Sequence, residues 1–140
     1  MHIDIVNEAN IEVNIEILQT IFDWMKEDSV FHANDKCCLT ISSNNEVKTF
    51  NAKYRGKNSP TDVLTFPCEF KNIPFKGDII IDAVEADKQK GNHSLEKELC
   101  ELFIHGLLHL AGMDHISKKQ QTQMASYEEK YKDKLSKIVV

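Results

Sequence analysis

Residues His2-Ile3-Asp4-Ile5-Val6-Asn7 alternate apolar and polar positions as a half-buried strand does, and Leu18, Ile21, Phe22 and Met25 then fall at the i, i+3, i+4, i+7 spacing of one helix face. The first helix is expected over about residues 11–27. Cys37-Cys38-Leu39-Thr40-Ile41 reads as a second strand, rich in β-compatible residues. Asn44-Asn45 suits the cap of a short helix that would carry Val47 and Phe50 into a core. Val63-Leu64-Thr65-Phe66 predicts a third strand, which Pro67 restricts to an edge or an end because proline has no N–H for the ladder. The unbroken isoleucines of Gly77-Asp78-Ile79-Ile80-Ile81-Asp82 predict a fourth strand buried on both faces. Residues 83–90 read as a short helix ended near Gly91-Asn92. Ser94 suits the N-cap of a long helix with the apolar stripe Leu95, Leu99, Leu102, Phe103 and Leu110. The stretch from about 118 to 137 is polar, with a weak stripe of Met124, Tyr127, Tyr131 and Leu135, and reads as a surface helix. Helices interspersed with strands predict a mixed α/β or α+β fold: one domain over residues 1–140, with a small mixed sheet of about four strands flanked by helices.

Composition supports a chain that folds by itself. Its 140 residues are 41% hydrophobic and 28% charged, with five Gly and three Pro, and carry no repeat or linker-like tract. No apolar stretch approaches the roughly 20 residues of a membrane span. Met1-His2-Ile3-Asp4-Ile5 lacks the cationic start of a signal peptide, so a cytoplasmic location is expected. Cys37, Cys38, Cys68 and Cys100 form no C-x-x-C pair, which argues for reduced thiols packed as small apolar groups. The net charge of −5 discourages a nucleic-acid role, but it is unevenly spread: residues 1–50 carry −6, residues 51–77 carry +3 and residues 78–140 carry −2. The basic middle contains the only arginine, Arg55, whose rigid fork of donors grips a phosphate better than lysine does; a solvated loop is the plain alternative.

Three of the six histidines stand in His105-Gly106-Leu107-Leu108-His109-Leu110-Ala111-Gly112-Met113-Asp114-His115. His105 and His109, four apart on the long helix, leave the same face one turn apart and can close on one ion. Gly112 can take the left-handed conformation that ends a helix, bringing His115 back as a third ligand. Three imidazoles leave one tetrahedral position open, the arrangement of a catalytic rather than a structural zinc. An open site of this kind lowers the pKa of a water toward neutrality and polarises a phosphoryl or carbonyl oxygen. Zinc proteases with this histidine spacing place Glu beside the first His as general base. Here that position is Gly106, which cannot move a proton. Asp114 is the nearest carboxylate, placed to orient a histidine or accept a proton, and equally suited to a turn aspartate bonded to its own backbone. Glu98 and Glu101 precede His105 along nearly the same face, as outer-sphere acceptors or, more simply, as solvated carboxylates. His2, His32 and His93 match no ligand spacing and read as surface or structural residues.

The run from His105 to His115 resembles the H-G-x-L-H-L-x-G-x-D-H signature of the bacterial YbeY endoribonucleases. Asn51-Ala52-Lys53-Tyr54-Arg55 followed by Thr61-Asp62-Val63-Leu64-Thr65-Phe66-Pro67 is similar to that family's N-x-x-Y-R…T-D-V-L-S-F-P block, and Gly77-Asp78-Ile79 to its G-D-I strand start. Thr65 replaces the usual Ser, keeping the hydroxyl, and Met113 stands where an aromatic is common. The resemblance implies a zinc-dependent, single-strand-specific endoribonuclease acting in ribosomal RNA maturation, including the 16S rRNA 3′ end, and in ribosome quality control. It implies one zinc held by His105, His109 and His115, and a functional arginine at Arg55 stabilising charge on the phosphorus. Asp114 completes the candidate catalytic residues. Single-stranded and ribosomal RNA, the small ribosomal subunit and its assembly factors are the implied partners. By the same analogy, Asn51 and residues 54–62 form a wall opposite the metal helix, and Lys53, Lys57, Lys71 and Lys76 are candidates for an RNA groove. Two other readings compete: an assembly factor with a structural metal, and a zinc metalloprotease, which Gly106 disfavours.

Overall fold

The computed structural model describes residues 2–42, 63–70, 72–113 and 117–139. Its strands are β1 (Ile3–Asn7), β2 (Lys36–Ser42), β3 (Val63–Pro67) and β4 (Phe75–Asp82). Its helices are α1 (Ile15–Glu27), α2 (Ala83–Gln89), α3 (Leu95–Leu110) and α4 (Lys118–Leu135). The strands form one mixed sheet in the order β1-β2-β4-β3, with β1, β2 and β4 parallel and β3 antiparallel to β4. The fold is α+β, as expected. Pro67 ends an edge strand, where its missing N–H costs no ladder bond.

The isoleucine run of β4 divides between two faces because successive side chains point opposite ways. Ile79 and Ile81 join Leu39 and Ile41 in the main core, while Ile80 meets Leu64 and Phe66 on the other side. Apolar stripes of all four helices supply the rest of the main core, among them Ile21, Phe22, Ala86, Phe103, Leu107 and Tyr131. Gly106 stands over Ile79 and Leu110 over Gly77, so α3 runs antiparallel to β4 across the sheet.

Two expectations are corrected. The first helix starts at Ile15 rather than near residue 11, because the Asn14 side chain accepts from the Ile17 N–H and caps it there, while Asn7 Nδ2 donates to the Ile11 carbonyl at 2.6 Å and holds the preceding chain in a turn. The C-terminal helix is more than a surface element. Met124, Tyr131 and Leu135 are fully buried, and the Tyr131 hydroxyl donates to Asp28 Oδ2 at 2.7 Å, tying α4 to the end of α1. The short helix expected to carry Val47 and Phe50 lies outside the described residues. All four cysteines are free, and burial pushes the Cys37 and Cys100 thiols up to about 12, which makes them inert packing groups. No helix among the described residues is long and apolar enough to cross a membrane.

Candidate metal centre

Helix α3 positions both described histidines of the predicted trio, and its two ends are defined by local chemistry. Ser94 Oγ accepts from the Lys97 N–H at 3.1 Å and caps the start. At the other end Gly112 takes φ +94°, its N–H donating to the His109 carbonyl and the Met113 N–H to that of Leu108, both at 3.0 Å. This paired bonding is a Schellman stop, and it needs a residue that tolerates the left-handed region. The helix therefore ends where the sequence predicts, with Gly112 three residues after His109.

His105 and His109 do share a face. Their Nε2 atoms stand 3.0 Å apart, with ring centroids separated by 4.6 Å. Two imidazole nitrogens on one tetrahedral zinc at 2.0–2.1 Å lie roughly 3.3 Å apart, so the pair needs little adjustment to hold a borderline divalent cation between them. A residue that sequence reasoning misses completes the orientation: Glu128 of α4 stands with Oε1 3.0 Å from His105 Nδ1. With Nδ1–H donating to the carboxylate, the lone pair of His105 is left on Nε2, on the side of His109. The hydrogen bond from His105 holds the Glu128 carboxyl below the usual carboxylate range, against the opposing effect of burial; Lys132, 3.5 Å from the other oxygen, adds to the lowering. A carboxylate oriented onto the far nitrogen of a ligating histidine is the usual support of a metal-bound imidazole. The donors present thus fit a zinc-like ion.

Gly106 has a packing reason to be glycine. A Cβ there would lie 2.9 Å from Ile79 Cγ2 and 3.1 Å from Cδ1, so this position faces β4 rather than the histidine pair. A general base beside the first histidine has no room on this helix, which adds to the case against the protease reading.

Glu98 differs from both roles considered for it. Glu128, not either of these, takes the Nδ1 of His105, and Glu98 is largely buried and bonded to His93 Nε2 at 2.6 Å. Of the two readings, surface or structural, His93 takes the structural one through its bond to Glu98, a pairing across the helix cap that residue spacing does not reveal. Arg55, Asp114 and His115 lie outside the described residues, as do Asn51 and residues 54–62.

A covering helix that carries two converging imidazoles, one backed by a carboxylate, over a four-stranded sheet defines the frame of a small metallohydrolase. The family model described as endoribonuclease YbeY matches residues 3–136, and the chain belongs to that family. It is similar to endoribonuclease YbeY of Bacillus subtilis, 35% identical with 87% of each chain covered. It is also similar to that of Oceanobacillus iheyensis, 32% identical over 92% of this chain and 94% of the relative. The solution structure of TM1509 from Thermotoga maritima matches with a TM-score of 0.62 and 31% identity, covering 94% of this chain and 87% of that one. Membership in this family makes the chain an enzyme, a hydrolase that cuts RNA.

Proposed function

We propose that the chain, as one domain over residues 1–140, is a zinc-dependent endoribonuclease specific for single-stranded RNA. It acts in the cytoplasm in ribosomal RNA maturation, including the 16S 3′ end, and in ribosome quality control, with the small ribosomal subunit and its assembly factors as partners. The observation that carries this reading is the convergence of His105 Nε2 and His109 Nε2 at 3.0 Å with Glu128 behind His105. In this proposal one zinc is held by His105, His109 and His115. A bound divalent ion supplies Lewis acidity at a phosphoryl group. Glu128 keeps the His105 proton on Nδ1, so that Nε2 stays a ligand. Arg55 binds the phosphate through its planar fork and offsets the charge that builds on the transferring group. Asp114 orients His115 or accepts a proton.

The test is His109→Ala. Purified wild-type protein is expected to contain about one tightly held zinc and to cut a single-stranded RNA oligonucleotide. The variant, with an unchanged circular-dichroism spectrum, should lose the tight zinc and the cleavage together. Wild-type cleavage by a folded, zinc-free variant would refute the metal role. The ends of the products identify the nucleophile: a 2′,3′-cyclic phosphate implicates the ribose hydroxyl, and a 5′ phosphate implicates water.

A further inference from the structure

We infer that His93, Glu98 and Glu101 form a second, separate cation site on α3 that takes a divalent transition metal such as Mn²⁺ or Zn²⁺. One ligand atom from each of the three residues lies within 4.8 Å of the others, and His93 Nε2 is already 2.6 Å from Glu98 Oε1. Ligands at 2.0–2.2 Å around one ion lie about 3–3.6 Å apart, so closing on a metal requires only a modest side-chain movement. The cap at Ser94 is what makes the cluster: it turns the chain into α3 so that the imidazole of His93 comes over the first turn of the helix, beside Glu98.

Charge supplies the second argument. Two carboxylates stand beside a single imidazole, and Glu98 is only 12% exposed. A cation set between two neighbouring carboxylates relieves their mutual repulsion. The positive end of α3 accounts for a carboxylate at Glu98 in the first turn, but its effect fades within that turn and leaves Glu101 unexplained. Among the described residues no lysine is ion-paired with either carboxylate. One nitrogen and two oxygens make a harder donor set than an imidazole trio, which favours manganese and iron relative to a site of histidines alone while still admitting zinc. Glu101 precedes His105 by four residues, so the site lies about 6 Å further along the same helix face. It does not depend on whether the histidine pair holds an ion.

The experiment titrates Mn²⁺ into metal-free full-length protein and follows the electron paramagnetic resonance of the free ion. The variants are Glu101→Gln, which keeps the His93–Glu98 bond, His93→Ala, and the double variant His105→Ala/His109→Ala. Wild type and the double variant should both retain one manganese site. Glu101→Gln and His93→Ala should each weaken that site by about tenfold or more. Failure of wild type to bind manganese up to about 1 mM, equal affinity in Glu101→Gln, or loss of the site only in the double variant would overturn the inference. Loss of tight zinc is read separately with the double variant, so the fate of the histidine site and of this one are distinguishable.

Discussion

Replacing Glu128 with Gln isolates the electrostatic part of the support for His105. The substitution keeps the shape and an acceptor oxygen at the 3.0 Å position on Nδ1 and removes only the charge. A hydrogen bond to a charged group contributes about 1.5–3 kcal/mol and a neutral one about 0.5–1.5 kcal/mol. The difference of roughly 1–2 kcal/mol corresponds to about a 5- to 30-fold loss of metal affinity. Because the side chains are 30% and 18% exposed, water screens the pair, and the lower half of that range is expected. The measurement is competition for zinc against a chelator of known affinity at neutral pH, with circular dichroism to verify the fold. Lys132→Met serves as the comparison. It removes the cation 3.5 Å from the other Glu128 oxygen, but this lysine is 41% exposed and the pair is of the weak surface kind. That variant should stay within about threefold of wild type. Unchanged zinc affinity in Glu128→Gln, or an equal loss in Lys132→Met, would show that the carboxylate does not set the donor strength of His105.

Three further outcomes test the packing and charge arguments. Gly106→Ala adds about 1 kcal/mol of helix propensity but forces a methyl against the fully buried Ile79, an overpacking cost of about 1–3 kcal/mol. Urea unfolding should show net destabilisation in wild type and net stabilisation in an Ile79→Ala background; stabilisation in both would contradict the close approach of α3 to β4. Asp28 is held below the usual carboxylate range by the hydrogen bonds from Lys130 and Tyr131, so its contribution is present above the unfolded value of about 3.9 and is lost as pH falls through the lower folded value. The stability gap between wild type and Asp28→Asn should therefore be full at neutral pH and shrink in strong acid; a gap independent of pH would refute it. Asp82 has the opposite sign: among the described residues its Oδ2 is buried without a partner and burial raises its pKa, so its charge costs stability as pH rises above about 3.9. Asp82→Ser keeps a cap oxygen for the N–H groups of Val84 and Glu85 and should raise unfolding free energy by about 1 kcal/mol at neutral pH, with the gain fading in acid; a loss at neutral pH would refute this.

Features controlled by neighbours along the chain are legible in the residues themselves. Alternation, the isoleucine run and Pro67 locate the strands and put β3 at an edge, and Gly112 marks where α3 stops. The start of α1 is misplaced by periodicity because Ile11 and Val13 continue an apolar pattern, while a hydrogen bond to the Asn14 side chain decides where the helix begins. Contacts between distant residues leave weaker traces. Glu128 meets His105 across 23 positions, and its signal is an acid on the stripe of Met124, Tyr131 and Leu135, where a buried face calls for an apolar residue. The link between His93 and Glu98 is hidden for a different reason: it depends on how the chain enters the helix, which spacing does not encode.

Helix α4 connects stability to the metal centre. Met124, Tyr131 and Leu135 seat one face of it in the core, and the same face carries Glu128 onto His105. Tyr131 and Lys130 anchor that helix to Asp28 at the end of α1, with oxygen distances of 2.7 and 2.8 Å. The donor nitrogen of His105 is therefore selected by an element with no ligand in the candidate trio, held in place by burial and by one carboxylate more than a hundred residues away in sequence. His109 is carried by α3, whose fit to β4 depends on the missing side chain of Gly106. The two imidazoles meet because they stand one turn apart on α3, and the packing of α4 sets which nitrogen of His105 faces His109, so a substitution in the seat of either helix reaches the centre without touching a ligand.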